Sequence, residues 1–211
     1  MTQLKVSQQA QQYVQDHAEL YLGYAQALHR SSVDVTRRIE FAILSANESF
    51  DKAVLVWDAM GRDKAGRIET VMHEHGMGLT KMKGAAIRYH RARPHIVPYP
   101  DEAGSYRWYR RRRIGAHPGL ANSKLSFATS LIDPLGSDIV CLDTHMVRGI
   151  TGTRPDSSWY KSLARYEQVE GAVRAVAGLS EVPLFAAQWA LWDYYRGSEP
   201  NPHSHLIEGA Q

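Results

Sequence analysis

Residues 110–149 read RRRRIGAHPGLANSKLSFATSLIDPLGSDIVCLDTHMVRG, and no other stretch carries as much information about the fold. Glycine and proline within 114–121 predict a tight turn, because neither residue continues a helix well. Helical spacing resumes over about 122–132, stops at the DPLG sequence of 133–136, and restarts near Asp143. The stretch therefore predicts a helix, a tight hairpin, a second helix, a loop, and an acidic residue at the start of a third helix.

Helical spacing also dominates the rest of the chain, whereas strand signals are weak. The other predicted helices cover about 7–28, a segment beginning at 32 or 34 and ending at 46, a segment beginning at 49–51, and about 67–75, 79–91, 105–113, 159–176 and 182–195. The fold class is therefore predicted to be all-α. We expect a single unit over 1–211, with helical lobes at about 30–92 and 105–196, helix 7–28 packed on the core, a proline-rich connection at 93–104 and a flexible tail at 197–211.

The composition is that of an ordinary globular protein and excludes several classes. The chain has 211 residues, of which 44% are hydrophobic and 22% charged. A single cysteine, Cys141, cannot form an internal disulfide, a multi-cysteine zinc site or an iron–sulfur cluster. The HEH sequence at 73–75 lacks metal-binding helical spacing, so we expect no metal and no cofactor. Without a membrane-length apolar run or a signal peptide, we expect a cytoplasmic or nucleoid-associated monomer, not secreted.

The charge is strongly segregated along the chain. Residues 81–124 contain eleven Lys and Arg side chains and two acidic ones, a net charge of +9. The remaining residues contain 14 basic and 20 acidic side chains, a net charge of −6. A solvated helical face is the ordinary explanation of a charge run. Four consecutive arginines beside two aromatics, in RWYRRRR at 107–113, instead favour a polyanionic partner such as DNA.

Two residues of the 110–149 stretch suggest chemistry. A hairpin between helices directs backbone N–H groups outward at a helix N-terminus, where they can hold a phosphate oxygen. Lys124 follows the hairpin in the first turn of the next helix, and Asp143 lies 19 residues later at a predicted helix start. Because apolar residues between them would pack the two helices together, we expect the amine and the carboxylate to share one pocket.

The stretch resembles the helix-hairpin-helix DNA glycosylases, a family that includes endonuclease III and the 8-oxoguanine glycosylases. The matching pieces are Pro118-Gly119-Leu120 with Lys124, and the string LDTHMVR at 142–148. Two further pieces match in the correct order, FAILSAN at 41–47 and GLTKMKGAAI at 78–87. The resemblance covers roughly residues 38–150 and, more loosely, the C-terminal helices. The cysteine cluster of endonuclease III is absent, as in the 8-oxoguanine branch.

The resemblance implies an enzyme that excises a damaged base, with an oxidised purine such as 8-oxoguanine as the leading substrate. It implies that Lys124 attacks the sugar C1′, that Asp143 stabilises the developing positive charge, and that the resulting Schiff base permits strand cleavage by β-elimination. Asn47 would fill the gap left by the extruded base. The residues expected to contact double-stranded DNA are Asn47, Arg110, Arg111, Arg112, Arg113, Gly115, His117, Gly119, Ala121, His145 and Arg148.

The C-terminal sequence QWALWD suggests the base pocket. Its aromatic and polar side chains can stack on a base and hydrogen-bond to it, and a tryptophan must also place its indole N–H. The residues predicted to line the pocket are Gln188, Trp189, Trp192 and Asp193. The alternative is that both tryptophans belong to the hydrophobic core.

Two departures from the family pattern keep other functions open. Ala121 replaces the second hairpin glycine, and Lys124 lies one residue further from Gly119 than is usual. One extra residue rotates a helical position by about 100°. One alternative is a DNA base-modifying transferase of the phage type on the same fold, which would leave the glycosidic bond intact. The other is a non-catalytic DNA-binding module that uses only the hairpin and the arginines.

Overall fold

The structure, a computed structural model, describes residues 4–63, 66–113 and 117–200, the side chain of Arg113 excepted. Within these residues it contains eleven α-helices, one short 3₁₀ helix and no strand, which confirms the all-α prediction. The helices are α1 (Gln8–Asp16), α2 (Ala18–Arg30), α3 (Val35–Leu44), α4 (Phe50–Arg62), α5 (Ile68–Glu74), α6 (Thr80–Arg91), α7 (Arg107–Arg113), α8 (Asn122–Ile132), α9 (Thr144–Thr151), α10 (Leu163–Leu179) and α11 (Leu184–Arg196), and the 3₁₀ helix is Trp159–Lys161.

Two predicted helices are wrong in detail. The segment predicted as one helix over 7–28 forms α1 and α2, which meet at His17. The His17 ring nitrogen lies 2.9 Å from the Tyr13 carbonyl, and the break lets both short helices pack against α11. The segment predicted over 159–176 begins as the 3₁₀ helix, and α10 starts only after Ser162, whose hydroxyl caps it.

The centre of the core is α3. Its residues 38–44 are all buried, and the helix packs against α4, α6 and α8. Phe41 lies with its ring centroid 5.1 Å from Phe50, 5.8 Å from Trp57 and 6.1 Å from Phe127. A helix buried on all sides sets the positions of its neighbours, and the C-terminus of α3 therefore has a fixed place relative to α6 and α8.

Backbone carbonyls near the C-termini of two helices inside the core accept hydrogen bonds from Arg38, a buried arginine of α3. The Arg38 guanidinium donates to the carbonyl of Leu131 at 2.6 Å and to that of Leu28 at 2.9 Å. These carbonyls lie in the last turns of α8 and α2, where the regular pattern of helix hydrogen bonds ends. Arg38 thus joins the ends of two helices to the central one.

Arg110, predicted to contact DNA, is instead buried. Its side chain is 0% exposed and donates to both carboxylate oxygens of Glu170, at 2.7 and 3.0 Å, and to Ser126 at 3.1 Å. Burial alone would lower the pKa of Arg110, but the hydrogen bonds that it donates to the Glu170 carboxylate raise it. The prediction is wrong because one side of the short helix α7 must pack on α8, and Arg110 lies on that side.

Part of the predicted organisation stays a prediction. The loop predicted at 93–104 does lie between α6 and α7, without helix or strand. Residues from both proposed lobes contribute to one hydrophobic core cluster, so the division into lobes at 30–92 and 105–196 is not tested by the packing. In the part of the chain that the structure describes, no helix combines the length and hydrophobicity needed to cross a bilayer. Most of the predicted tail, residues 201–211, lies outside the described residues.

We expect Arg110→Ala to lower the free energy of unfolding by up to roughly 3–5 kcal/mol, because it removes the fully buried cation of Glu170 and leaves only the partly exposed Arg174 in contact with that carboxylate. Arg112→Ala removes an exposed arginine from the same helix and should change stability by less than about 0.5 kcal/mol. Urea denaturation of both variants measures the difference. Equal, small effects of the two substitutions would contradict the assigned role of Arg110.

Candidate active site

Gly119, the glycine of the hairpin, cannot be replaced by another residue without strain. Gly119 has φ +80°, and a Cβ at this position would lie 2.7 Å from the Cβ of Ala86 on α6. The next residue, Leu120, is buried, and Ala121 is exposed at the N-cap of α8. The hairpin therefore packs directly on α6. Gly115 lies outside the described residues.

A buried histidine supports the hairpin from below. His117 is 2% exposed, its Nε2 lies 2.6 Å from the Tyr109 hydroxyl, and its ring stacks on that of His90 at 5.4 Å. Burial and, to a smaller extent, the neighbouring His90 lower the pKa of His117 to about 4. The His117 side chain therefore cannot contact DNA as predicted, because it is the part of the hairpin that faces the core.

The segment before Asp143 is held by side chains rather than by a helix or a sheet. Glu170 accepts a hydrogen bond from the N–H of Val140 at 2.7 Å, and Gln188 accepts one from Cys141 at 2.7 Å. Tyr166 accepts from the N–H of residue 142 at 3.0 Å and donates to the carbonyl of Val140 at 2.7 Å. Three successive amides are thus fixed by α10 and α11, which sets the place where α9 begins.

Asp143 is the N-cap of α9 and faces a tryptophan. One carboxylate oxygen accepts from the N–H of Met146 at 2.8 Å, as an N-cap does. The other accepts from the indole N–H of Trp192 at 2.5 Å. Capping therefore occupies only one oxygen, and the second lies at the wall of a cavity with the indole as its orienting partner.

Lys124 extends from the first turn of α8 toward the end of α3. Its amine donates to the hydroxyl of Ser45 at 3.0 Å and to the Ser45 carbonyl at 3.2 Å. Burial lowers the pKa of Lys124, while Cys141 and Asp143 act in the opposite direction. Within the described residues Lys124 and Asp143 form no ion pair. Direct contact with this carboxylate therefore does not hold the amine in its protonated form.

Lys124 and Asp143 line the same cavity, as the sequence predicted. The cavity has a volume of about 500 Å³, which lies in the usual range for a small-molecule site. Its wall combines the ends of α3, α8 and α9 with Tyr160 of the 3₁₀ helix and Trp192 of α11. Hydroxyl and amide groups of Ser45, Ser123, Asn122 and Thr144 supply polar atoms around it.

Three of the four residues predicted for the base pocket belong to the core. Gln188 is buried and bonded to the amide of Cys141, Trp189 is 0% exposed among other aromatic rings, and Asp193 is buried and accepts from the hydroxyl of Tyr21 at 2.5 Å. The prediction is wrong for these residues because α11 is buried on most of its surface. Only Trp192 reaches the cavity.

Two residues at the cavity mouth have an unusual backbone. Asn47 and Leu79 are exposed, line the cavity, and have φ of 59° and 57°. This left-handed conformation is tolerated by asparagine but is a true outlier for leucine. Met82, also exposed, lies one helical turn beyond Leu79 on α6. The rim therefore presents one amide and two apolar side chains to solvent.

The remaining predicted DNA contacts are distributed over two helices. His145 and Arg148 are exposed on α9, and His145 lines the cavity. Arg111 on α7 is exposed but donates to Glu167 at 2.8 and 3.0 Å. Arg112 is exposed, and in the described part of the chain it forms no ion pair. The side chain of Arg113 lies outside the described residues.

Sequence reasoning missed several residues of the site. Ser45 holds the lysine amine, Leu79 stands at the rim, and Tyr160 forms a wall. Leu79 lies within the GLTKMKGAAI string, so the sequence marked its location but not its backbone conformation. Ser45 and Tyr160 are ordinary polar and aromatic residues in sequence, and only long-range packing brings them to Lys124. No three His, Cys, Asp or Glu among the described residues are arranged to hold a metal ion.

The solved structures that this chain resembles include three of 8-oxoguanine glycosylases, two of them from one organism. The Methanocaldococcus jannaschii 8-oxoguanine glycosylase/lyase in complex with a 15mer DNA containing 8-oxoguanine has a TM-score of 0.73 and 14% identity, covering 89% of this chain and 97% of that one. The free 8-oxoguanine DNA glycosylase of the same organism has a TM-score of 0.72 and 14% identity, covering 90% and 95%. The 8-oxoguanine DNA glycosylase of Thermotoga maritima has a TM-score of 0.69 and 16% identity, covering 92% and 97%.

These likenesses establish the fold. Over about nine-tenths of its length, the chain has the all-helical fold of these 8-oxoguanine glycosylase structures. No protein-family model matches the sequence, and no curated protein sequence matches it. The resemblance recognised in residues 38–150 is thus confirmed at the level of the three-dimensional fold.

The buried His117 predicts a pH dependence of folding. Its pKa of about 4 lies below the usual 6.5, so between these values the unfolded chain binds more protons than the folded one. Stability should therefore fall by up to about 3 kcal/mol as the pH drops from 6.5 to 4. Urea denaturation at several pH values measures this loss.

His117→Gln removes the titrating ring and should flatten the loss between pH 6.5 and 4, whereas His75→Gln replaces an exposed histidine and should leave it unchanged. An identical slope in His117→Gln and the wild type would show that other groups cause the acid sensitivity.

Proposed function

We propose that this protein is a DNA glycosylase that excises an oxidised purine such as 8-oxoguanine and then cleaves the strand as a β-lyase. The observation that carries the proposal is the Lys124 amine. It has a lowered pKa, it shares a cavity with Asp143 without pairing to it, and it lies beside the hairpin. A neutral amine is a nucleophile, whereas an amine locked in an ion pair is not.

The proposed reaction begins at the sugar. The lone pair of the Lys124 amine attacks C1′, and the bond between C1′ and the base breaks with its electron pair leaving on the base. The Asp143 carboxylate stabilises the positive charge that develops on the sugar and assists the transfer of protons from the amine. The nitrogen and C1′ then form a Schiff base as the sugar ring opens. Loss of a proton from C2′ breaks the C3′–O bond and cuts the strand.

The geometry of Asp143 suits this role. Its hydrogen bonds to Met146 and Trp192 hold the carboxylate in place without a cation in direct contact. Pre-organised charge of this kind costs no rearrangement when the reaction occurs. The exposed edge of Trp192 and the side chain of Tyr160 give the cavity aromatic walls that suit a flat base.

Access to the cavity requires extrusion of the target nucleotide from the duplex, at a cost of a few kcal/mol. We place Asn47 and Leu79 at the gap that the extruded base leaves, because both stand exposed at the cavity mouth. The backbone of the hairpin, with His145, Arg148 and Arg112 on neighbouring surfaces, supplies contacts to phosphates. The 8-oxoguanine in the DNA bound by the M. jannaschii neighbour supports an oxidised purine as the lesion.

Borohydride trapping tests the chemistry. A duplex carrying 8-oxoguanine should give a covalent protein–DNA band with the wild-type protein, because borohydride reduces the Schiff base. Lys124→Gln should abolish the band, and Asp143→Asn should lower its rate of formation by roughly 10²-fold or more. Lys5→Gln removes an exposed lysine near the N-terminus and serves as the matched control.

The other outcomes separate the alternatives. Release of the base without a covalent protein–DNA band would indicate hydrolysis that depends on Asp143, with no lyase step. A modified base with its glycosidic bond intact would establish the transferase, and a panel of modified bases distinguishes it from a glycosylase with another lesion. If no modified base gives a product, and the Lys124 and Asp143 variants bind DNA as the wild type does, the protein is a non-catalytic DNA-binding module.

The salt dependence of DNA binding tests the arginines separately. Arg112→Ala should weaken binding equally for all sequences and reduce the slope of log K against log salt by about 1, because one phosphate contact is lost. Glu167→Gln frees Arg111 from its carboxylate and should strengthen binding at low salt. Fluorescence anisotropy over a salt series gives both slopes. An Arg112→Ala slope equal to that of the wild type would exclude this residue from the interface.

A further inference from the structure

The two rim residues Asn47 and Leu79 belong to different elements, yet a single side chain connects them. Glu48 directly follows Asn47, and its carboxylate accepts a hydrogen bond at 2.6 Å from the N–H of Gly78, which directly precedes Leu79. The turn after α3 and the turn before α6 are thereby joined at the residues adjacent to the rim. Both rim residues have left-handed backbones, a conformation that persists only where the surroundings hold it.

The carboxylate of Glu48 is itself anchored by a buried lysine. Lys83 on α6 is 1% exposed, and its amine lies 3.2 Å from a Glu48 oxygen and 3.2 Å from the carbonyl of Leu44 at the end of α3. Lys52 lies 3.3 Å from the other oxygen. Burial alone would raise the pKa of Glu48, but the hydrogen bonds from Gly78, Lys83 and Lys52 lower it.

Stability alone does not account for the ion pair between Glu48 and Lys83. A buried ion pair contributes little net stability compared with apolar residues of similar volume, because desolvation offsets the attraction. The pair is nevertheless placed where it fixes the spacing of two exposed residues and the left-handed turns that carry them. Insertion into a duplex requires such residues to keep their places against the resistance of stacked bases.

We propose that Glu48, held by Lys83, is a positioning residue that fixes Asn47 and Leu79 at the spacing needed to occupy the duplex when a base is extruded. This inference rests on the proposed function, because it assigns a device for base extrusion to the same site. Glu48 acts through the rim residues and takes no part in the chemistry at C1′. Its loss should therefore impair reactions on duplex DNA and spare reactions on DNA that needs no extrusion.

The test compares two double variants with the wild type. Glu48→Leu with Lys83→Met removes the Glu48–Lys83 ion pair, called the clamp below, without leaving a buried charge unpaired. Glu69→Leu with Arg88→Met is the matched control, because it removes an exposed ion pair between α5 and α6 that lies away from the rim. Glu48→Ala alone is measured alongside them, with its thermal midpoint, to separate unfolding from mispositioning.

Two readouts are independent of each other. The first is fluorescence of 2-aminopurine placed opposite an abasic-site analogue in a duplex, which brightens when the protein unstacks it. The second is the ratio of single-turnover borohydride trapping on duplex 8-oxoguanine DNA to that on a single-stranded abasic oligonucleotide. We expect the clamp variant to lose the brightening and to lower the ratio by about tenfold or more, while the control stays within about twofold.

Each failure has a different meaning. If the wild type brightens 2-aminopurine but excises no base, the proposed function fails and the clamp is still judged by the fluorescence. Absence of brightening in the wild type, or equal brightening in the clamp variant, overturns the inference. Equal losses on duplex and single-stranded DNA in the clamp variant would assign the pair to stability alone and overturn it as well.

Discussion

The buried pair of Arg110 and Glu170 is the interaction on which the site depends. It joins α7, which leads into the hairpin, to α10, which faces the segment before Asp143. The same Glu170 carboxylate also accepts from the amide of Val140, so one side chain connects both halves of the site. A buried carboxylate is tolerated only when its oxygens are satisfied, and here the guanidinium groups of Arg110 and Arg174 and a backbone amide satisfy them. The relative position of Lys124 and Asp143 follows from this connection.

Ion pairing distinguishes two fully buried cations from Lys124. Arg110 and Lys83 are buried cations with a carboxylate in contact, and their role is to hold helices and turns together. Lys124 is only partly buried, and among the described residues its amine donates to the neutral oxygens of Ser45. Burial lowers the pKa of both lysines, and at Lys83 the contacting carboxylate of Glu48 opposes that effect. The difference lies in what faces each nitrogen and not in the residue type.

Most helix positions and the cavity shared by Lys124 and Asp143 could be predicted from local signals, but the partners of the polar residues could not. Asp34 and Ser49 mark helix starts because their side chains cap the first turn, and the structure has both caps. Four consecutive arginines carry no signal that tells which one turns inward, since the partner of Arg110 lies 60 residues away. Gln188 likewise looks like a pocket residue until the amide of Cys141, 47 residues away, is placed against it. Distance along the chain, and not ambiguity of composition, limits this kind of prediction.

The segment at residues 140–142 has a consequence for hydrogen exchange. Its amides belong to no helix, so a loop of this kind would ordinarily exchange quickly with solvent. Here each amide donates to a side chain of α10 or α11, and it can open only when those helices move. Its exchange should then follow the unfolding of the whole core rather than local fraying. The Asp143 carboxylate is therefore in place only in molecules whose C-terminal helices are docked.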